Sequence, residues 1–414
     1  MKQTTMAAAV AVALGWPFTA AAETGLEQRL ERMERRVTEL ERMVQHQNDA
    51  IQSRDRQIHL LEGRVGEAAG GAVDWTQRVE VSGLVEVEAS QADPFLGETT
   101  SDLVVATAEL GVAARINDWA EAVVTLLYEE DETDLEVDVA AIGLAPPDSP
   151  WRLDAGQFYV PFGVFDTNMI SDPLTLEIAE TRETALRLGF EHNGFAASAY
   201  LFNGTNRRGG DDRLDNWGAE LGYAVEGDDA GFAAGAGYIN DIGDSDALQD
   251  ALTTHRVADQ VPGWTANGAL EVGPFTAFGE YVAALDRFDR GGYRITDFAL
   301  APGETPPFTM DWTRVPAELA FDRRGAEPKA WNLELGYGFR VAGREAVAAI
   351  GYQGTGEAVA LELPERRWLA ALSVEVVEDT ALSLEWAHDR DYDRRDGGTG
   401  KSADSLTAQV AVEF

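Results

Sequence analysis

The side chains best suited to chemistry are concentrated in one stretch, 156–187, where aromatic residues are followed by charged ones. The aromatic members are Phe158, Tyr159, Phe162 and Phe165, the acidic members are Asp166, Asp172, Glu177, Glu180 and Glu183, and the basic members are Arg182 and Arg187. Carboxylates that line a narrow passage favour cations and oppose anions. The rings could stack on a flat ligand or wedge the segment against a wall, and we favour the wedge. The stretch is therefore expected to filter or bind a solute rather than to catalyse a reaction.

The rest of the chain supplies no catalytic or metal-binding set. Cysteine is absent, which removes disulfides, thiolate ligands and cysteine nucleophiles. The histidines show no metal-binding spacing. They are His46, His59, His192, His255 and His388. No Ser/His/Asp set can be placed, so we expect a protein that is not an enzyme and that carries no metal or cofactor.

Net charge narrows the range of partners. Asp and Glu number 72 against 33 Lys and Arg, which gives −39 at pH 7. Nucleic-acid binding needs clustered basic charge to displace counterions, so no nucleic-acid partner is expected. The acidity also fits a surface that stays hydrated in high salt, or loops such as Glu129–Glu132 that bind divalent cations bridging lipopolysaccharide. The sequence leaves these explanations open.

An export signal is predicted at residues 1–22. One lysine precedes the apolar run Met6–Leu14, and the small residues Ala20–Ala22 precede Glu23. This layout is typical of a secretory signal peptide, and the apolar run is too short to span a bilayer. After residue 22 no apolar run is long enough for a membrane-spanning helix either. The mature protein is therefore expected to work outside the cytoplasm.

A helical coiled coil is predicted at residues 23–66, followed by a glycine-rich linker at 67–74. Heptad position a holds Leu30, Val37, Val44, Ile51, Ile58 and Val65, and position d holds Leu26, Met33, Leu40, Gln47, Arg54 and Leu61. A 3.5-residue period aligns one apolar seam for knobs-into-holes packing. β-branched residues at a favour two helices, whereas the polar residues at d leave three possible. A single amphipathic helix lying on the next domain is the alternative.

Residues 75–414 change to a period of two. Val79, Val81, Val85 and Val87 alternate with polar residues, and 104–114 and 406–414 repeat the pattern. Such alternation gives a strand one apolar and one polar face, and about ten residues of it span a bilayer in a β-barrel. A soluble sandwich alternates too, but it rarely has the asymmetry of its connections described next.

The links between these strands alternate between short and long. The short links lie at 117–118, 146–150, 193–194, 226–231, 273–274, 342–343 and 378–380, and the long ones near 90–101, 129–133, 160–184, 203–215, 242–262, 287–327, 355–364 and 393–403. Seven short and eight long links join 16 strands. The predicted fold is an all-β transmembrane barrel of about 16 antiparallel strands with short periplasmic turns and longer external loops. A further hairpin within 287–327 would raise the count.

Other features fit this barrel. The last strand ends in Val-Glu-Phe, which resembles the C-terminal strand that barrel-assembly machinery recognises, so Phe414 is assigned to assembly. Tryptophan and tyrosine near strand ends suit interfacial girdles or local packing. Sixteen strands enclose a water-filled lumen. The charged residues expected to face that lumen are Glu80, Glu86, Glu109, Arg115 and Glu121, although any solvated polar wall would use the same residue types.

The block Gly156–Asp166, with Ser171–Pro173 and Glu180–Thr184, resembles the same region of the LbtU-like siderophore porin family. Members of that family carry a signal peptide, an N-terminal coiled coil and a first strand similar to Val79–Ala89. A looser resemblance, through Gly-Gln-Phe and Pro-Phe-Gly alone, extends to phosphate-selective porins. The resemblance implies passage of ferric siderophores across the outer membrane without an energised plug. By similarity to trimeric porins, the third external loop is expected to fold inward and narrow the pore.

The sequence thus predicts a homo-oligomeric, trimeric porin of the bacterial outer membrane, in contact with lipopolysaccharide and with its coiled coil in the periplasm. Its expected cargo is a ferric siderophore or another small solute. A general cation-preferring porin is the first alternative. A phosphate-selective porin is less favoured because lysine is scarce; its candidate ligands are Arg115, Arg152, Arg187, Arg207 and Arg208. The third alternative is a tether that joins the outer membrane to the cell wall through the coiled coil.

Overall fold

A computed structural model describes residues 78–130, 133–208, 213–227, 230–252, 255–257, 259–288 and 325–414. The predicted signal peptide, coiled coil and linker, residues 1–74, lie outside the described residues. So does the possible additional hairpin within 289–324.

Sixteen antiparallel strands close into a barrel, which confirms the predicted strand number and the barrel architecture. The strands are β1 Val79–Asp93, β2 Thr100–Arg115, β3 Ala120–Glu129, β4 Thr133–Leu144, β5 Trp151–Tyr159, β6 Arg182–His192, β7 Phe195–Phe202, β8 Asn216–Glu226, β9 Ala230–Ile239, β10 Gly263–Val272, β11 Phe275–Ala284, β12 Lys329–Val341, β13 Arg344–Gly356, β14 Arg366–Val377, β15 Thr380–Arg390 and β16 Ser402–Glu413. Each strand pairs with its neighbours in sequence, and β1 pairs with β16.

Alternation along each strand separates an apolar outer surface from a polar interior. Outward positions carry large apolar side chains that no other part of the described chain covers, such as Val81 at 57% exposure. Inward positions carry polar side chains such as Thr125, Glu280 and Glu334, which are buried inside the barrel. Apolar-out and polar-in faces suit a barrel that is surrounded by hydrocarbon and encloses water.

The barrel closes at its C-terminal residue. The Phe414 amide donates to the Gly83 carbonyl at 3.0 Å, and the Gly83 amide donates to the Phe414 carbonyl at 2.9 Å. The Phe414 ring lies across β1, so a Cβ at position 83 would come within 2.4 Å of it. Glycine at 83 therefore lets the terminal ring cover the seam between the first and last strands.

The connections follow the predicted alternation between short and long. All seven short links found at one end of the barrel match the predicted positions. Two of them, Asn193-Gly194 and Ala342-Gly343, have positive φ at both residues, as type I′ hairpin turns require. The long links lie at the opposite end, which we call the external end. Those used below are loop 3 (160–181), loop 4 (203–215) and loop 5 (240–262).

Short helices occur only in long links, within the described part of the chain. They are α1 Leu176–Ala179 in loop 3, α2 Asp246–Ala251 in loop 5, and 3-10 turns at Ile242–Asp244, Val359–Leu361 and Arg394–Asp396. Loops 4 and 5 also join through a parallel two-residue pairing of Arg207–Arg208 with Arg256–Val257. None of the described helices has the length and apolar character needed to cross a membrane.

Candidate functional site

Loop 3 folds into the barrel and crosses its interior. Its base is closed where the Val160 amide donates to the Thr181 carbonyl at 2.9 Å, between β5 and β6. The rest of the loop makes its polar contacts with β11, β12, β13 and β15, on the far side of the lumen. The loop therefore narrows the passage that the barrel encloses.

Glu280 of β11 holds both limbs of the loop. Its carboxylate accepts hydrogen bonds from the Val164 amide at 2.8 Å and the Phe165 amide at 3.2 Å, on the outgoing limb. It also accepts one from the Thr175 hydroxyl at 2.8 Å, on the returning limb. Glu280 is only 3% exposed, so these bonds supply the solvation that water would otherwise give the carboxylate.

Glu334 of β12 holds the next part of the loop. Its carboxylate accepts from the Asn168 amide at 2.7 Å and from the Thr167 hydroxyl at 2.8 Å. The Asn168 side chain donates to the same carboxylate.

Glu385 of β15 holds the tip. It accepts from the Ile170 amide at 2.5 Å and from the Ser171 hydroxyl at 2.7 Å. Between these anchors, the Gln353 side chain of β13 accepts from the Leu174 amide at 3.1 Å. Four wall side chains thus fix the path of loop 3, and three of them are carboxylates. We call Glu280, Glu334 and Glu385 the wall carboxylates.

Apolar packing fixes the same loop from another side. Phe162 is buried against glycine-bearing strands: a Cβ at Gly263 would lie 3.1 Å from its ring, and one at Gly237 would lie 3.4 Å from it. Phe158 and Phe165 are buried as well. The aromatic rings therefore wedge the loop against the wall, and their burial removes them from contact with a passing solute.

The predicted acidic residues of the loop fall in different surroundings. Asp166 is buried, and burial followed by repulsion from Glu280 and Glu334 raises its pKa well above the ordinary range for aspartate. Asp172, near the tip, interacts electrostatically with Glu88 of β1. Glu177 of α1 interacts electrostatically with an arginine of β14. The Glu180 carbonyl accepts from the Asp246 amide of loop 5 at 2.9 Å.

The last three predicted residues of the segment lie on β6 rather than on the loop. Arg182 binds the carboxylates of Glu136 and Asp138 on β4, the latter at 3.0 Å. The Tyr159 hydroxyl donates to Asp138 as well, at 2.7 Å. Glu183 accepts a hydrogen bond from the Gln249 side chain of α2. These contacts join the base of loop 3 to the neighbouring wall and to loop 5.

An ion-pair chain runs along the near wall, β3 to β6. Arg187 donates two hydrogen bonds to Asp154, at 2.6 and 3.0 Å, and Asp154 is fully buried. Arg152 donates to Asp154 at 2.8 Å and pairs with Glu121 on β3. Two of the arginines considered as phosphate ligands, Arg152 and Arg187, are therefore bound to carboxylates.

Strand register places the predicted lumen residues on the inner side. Glu80, Glu86 and Glu109 alternate with the exposed outward residues of β1 and β2, such as Val81 and Leu110. Arg115 lies directly opposite Glu121 across the β2–β3 pair, and both line a cavity of about 370 Å³ at the short-turn end. Near the loop tip, Glu86, Glu385 and Asp172 surround Glu88 with negative charge.

Loop 5 covers the base of loop 3 through acidic side chains that are buried (Asp241, Asp244) or half-buried (Asp246). Asp246, the first residue of α2, accepts from the Arg182 amide at 3.1 Å. Burial raises the pKa of Asp246 to about 6, although that hydrogen bond opposes the shift. Burial also raises the pKa of Asp241 and of Asp244, which accepts from the Asn206 amide of loop 4 at 2.8 Å. Loops 3, 4 and 5 are thus joined by carboxylates that are easier to bury when protonated.

Sequence reasoning missed the wall carboxylates and Gln353. Each occupies an inward position of an alternating strand, so their side of the barrel was predictable. Nothing in the pattern separates a glutamate that holds a loop from one such as Glu86 that meets water. Only the return of loop 3 across the lumen makes that distinction.

No protein-family model matches the chain. It is similar to a UPF0422 protein of Legionella pneumophila (strain Lens), 29% identical over 404 residues, covering 88% of this chain and 72% of the relative. A UPF0422 protein of Coxiella burnetii is 28% identical over 388 residues, covering 87% of this chain and 78% of the relative.

Solved structures with a similar fold are outer-membrane channels and porins. The outer membrane channel DcaP of Acinetobacter baumannii has a TM-score of 0.52 at 13% identity and covers 81% of this chain and 97% of its own. An anion-selective porin from Comamonas acidovorans has a TM-score of 0.53 at 12% identity, covering 81% and 99%. Pseudomonas putida OprB reaches 0.54 at 11% identity, covering 84% and 100%. The chain is therefore similar to UPF0422 proteins and has the fold of outer-membrane porins.

Proposed function

We propose that this protein is an outer-membrane porin that passes small solutes by diffusion through a lumen narrowed by loop 3. The observation that carries the proposal is the fastening of loop 3 across the barrel by Glu280, Glu334 and Glu385. A loop that served only as an external cover would need no acceptors on the far wall. A 16-stranded barrel leaves an aqueous interior, and a fixed inward loop sets its narrowest cross-section.

We infer a preference for cations. Glu86, Glu88 and Asp172 place carboxylates near the loop tip, and Arg152 and Arg187 on the near wall are already bound to carboxylates. Charged side chains around a constriction set ion selectivity through their field. The same balance of charge disfavours a phosphate-selective pore, because phosphate capture needs cations that are available to the solute.

The finer proposal is that the cargo includes ferric siderophores, and it rests on the resemblance of residues 156–184 to the LbtU-like siderophore porin family. Because Phe158 and Phe162 are buried, a siderophore would meet polar groups and the field of the constriction rather than stacked rings. Assembly as a homotrimer, recognition of Phe414 by barrel-assembly machinery and a periplasmic coiled coil belong to the same proposal.

The test is single-channel conductance of the purified protein in a planar bilayer under a salt gradient, with and without a catecholate or a hydroxamate ferric siderophore. We expect a cation-selective conductance that a ferric siderophore blocks from the external side. The double variant Glu86→Gln/Glu88→Gln should reduce cation selectivity without closing the pore. Glu345→Gln, which lies at the short-turn end and pairs with Arg340, is the matched control.

The possible outcomes separate the alternatives. Cation-selective conductance without blockade would make the protein a general cation-preferring porin. Anion selectivity would overturn the charge argument. Absence of any conductance would overturn the porin proposal and favour the tether, which deletion of residues 23–72 would then test.

A further inference from the structure

Three cations stand side by side on the outer surface at the external end of the barrel. Lys329 begins β12, Arg366 begins β14 and Arg390 ends β15, so all three lie where these strands meet the long loops. Each is exposed, with Arg366 and Arg390 side chains at 55% and 53% exposure. We call these three residues the basic row.

Register places the basic row on the outward face. Arg366 has the same parity as Trp368, and Lys329 the same parity as Leu333 and Leu335, all exposed outside the barrel. Arg366 and Arg390 are direct cross-strand partners in the β14–β15 pair.

The strand between Lys329 and Arg366, β13, carries glycines at the positions opposite these two residues. Lys329 lies opposite Gly356, and Arg366 lies opposite Gly354. The Lys329 stem covers Gly356, where a Cβ would lie 2.7 Å from the lysine Cε. The missing side chain at Gly356 therefore lets the lysine lie flat on the barrel wall, whereas the Trp331 ring covers Gly354, opposite Arg366.

The described residues neutralise the basic row only weakly. The Arg366 guanidinium lies 3.7 Å from Glu365, and the Arg390 guanidinium lies 3.8 Å from Asp393. Both contacts are long and solvent-exposed, and such pairs contribute little. Like charges placed directly opposite across two strands are destabilising. An arrangement of this kind is explained when an anion outside the chain is shared between the cations.

The surface next to the basic row indicates the class of anion that it binds. Directly below Arg366 the outer surface carries the Tyr352–Trp368 pair, whose ring centroids lie 4.3 Å apart. The Trp331 ring covers Gly354 at the level of Arg366. Aromatic belts mark the level of lipid headgroups. The chain as a whole has a net charge of −39, and its only lysines are Lys2, Lys329 and Lys401. A group of three cations on the outer surface of this rim is therefore unusual in so acidic a protein.

We propose that the basic row binds the phosphate groups of an outer-leaflet glycolipid of the lipid A type. Arginine binds phosphate through paired N–H donors and lysine through a point charge, so the three side chains suit a bisphosphorylated headgroup. The acyl chains would lie against the outward apolar residues below the aromatic layer. This inference rests on the proposed outer-membrane location, but it does not depend on conductance.

The test is native mass spectrometry of the full-length protein in detergent, titrated with bisphosphorylated lipid A, monophosphorylated lipid A or phosphatidylglycerol. Arg366→Gln is compared with Arg344→Gln, which removes an exposed arginine at the short-turn end of neighbouring β13. We expect Arg366→Gln to weaken binding of bisphosphorylated lipid A about tenfold, the effect of losing one charged hydrogen bond. Arg344→Gln should bind like the wild type, and monophosphorylated lipid A should bind more weakly.

Equal binding by the two variants would overturn the proposal. So would equal retention of all three lipids, which would indicate binding by acyl chains alone. Loss of wild-type binding in EDTA would also overturn it, because divalent cations on the acidic loops would then hold the phosphates. A protein that binds lipid A as expected but conducts no ions would overturn only the porin proposal.

Discussion

The two walls of the lumen use carboxylate side chains for two different purposes. On the near wall, β3 to β6, carboxylates such as Asp154 bind arginine. On the far wall, β11 to β15, Glu280 and Glu385 bind backbone amides and hydroxyls of loop 3. A carboxylate paired with arginine has its charge cancelled, whereas one that accepts from neutral donors keeps it.

The two walls therefore contribute different properties to the barrel. The near wall contributes rigidity, because removing either partner of a buried ion pair strongly destabilises the fold. The far wall contributes the position of loop 3, because its carboxylates accept hydrogen bonds from backbone amides and hydroxyls of the loop. The carboxylates proposed to set the cation preference are instead Glu86, Glu88 and Asp172, near the loop tip.

Removal of a wall carboxylate should have the largest effect. Glu280→Ala leaves the Val164 amide, the Phe165 amide and the Thr175 hydroxyl without their acceptor. Each buried donor left unsatisfied costs about 1–3 kcal/mol, so we expect both limbs of loop 3 to detach while the barrel stays closed. Single-channel recordings should show a larger and noisier conductance.

Glu86→Ala is the control for this experiment, because it removes a lumen carboxylate that lies outside the loop anchors. It should change selectivity but leave conductance noise at the wild-type level. Unchanged conductance in Glu280→Ala would contradict the assignment of the far wall to loop positioning.

Loss of an arginine from the near wall should destabilise the barrel without moving the loop. Arg187→Gln leaves Asp154 fully buried with one guanidinium fewer. Breaking a buried ion pair from one side costs about 3–5 kcal/mol, although Arg152 offsets part of it here. The temperature at which the folded band is lost in heat-modifiability gels should fall.

The double variant Asp154→Asn/Arg187→Gln should recover part of this stability, because the buried side chain at 154 then carries no charge that needs Arg187. If the double variant were as unstable as the single one, the ion pair would not be the source of the loss.

The smallest effect is a pH dependence at the junction of loops 3 and 5. Burial raises the pKa of Asp246 to about 6, whereas an opened loop titrates near the ordinary value of about 3.9. The closed junction binds the proton more tightly, so its stability is full below about pH 4 and is lost progressively as the pH rises to about 6. Hydrogen exchange of residues 176–182 and 244–251, corrected for intrinsic rates, should be slower at about pH 5 than at about pH 7.5.

Asp246→Asn should reduce this difference, since the amide imitates the neutral carboxyl and still accepts from Arg182. Asp286→Asn, an exposed change outside this junction, should leave it intact. An identical pH response in both variants would assign the effect to Asp241 and Asp244 instead.

Much of the barrel was predictable from sequence. A period of two marks β1, β2 and β16 because each strand has an apolar outer face and a polar inner face. The short links were predictable for a related reason: Asn193-Gly194 can adopt the positive φ values that a tight hairpin demands. Both are local properties, carried by residues that are adjacent in the chain.

The candidate site was predictable only in part. Position in the chain and resemblance to known porins marked 156–187 as the inward loop, and a packing role for Phe158 and Phe162 was the favoured interpretation. Yet Arg182 and Arg187 belong to β6, and Asp166 is buried beside Glu280 and Glu334. Charge counting along the loop could not separate a residue that faces the passage from one that faces the wall.

By itself the sequence determined which residues alternate, where the chain turns, and hence the number of strands and the end at which the long loops gather. Only the tertiary structure decided which inward glutamates hold loop 3 and which stay available to a solute. The reason is sequence distance: Glu280 and Glu385 meet the loop across the lumen, 115 and 214 positions from Phe165 and Ser171 respectively. A two-residue period specifies the side of a strand that a residue occupies, but the partner on that side is set by closure of the barrel.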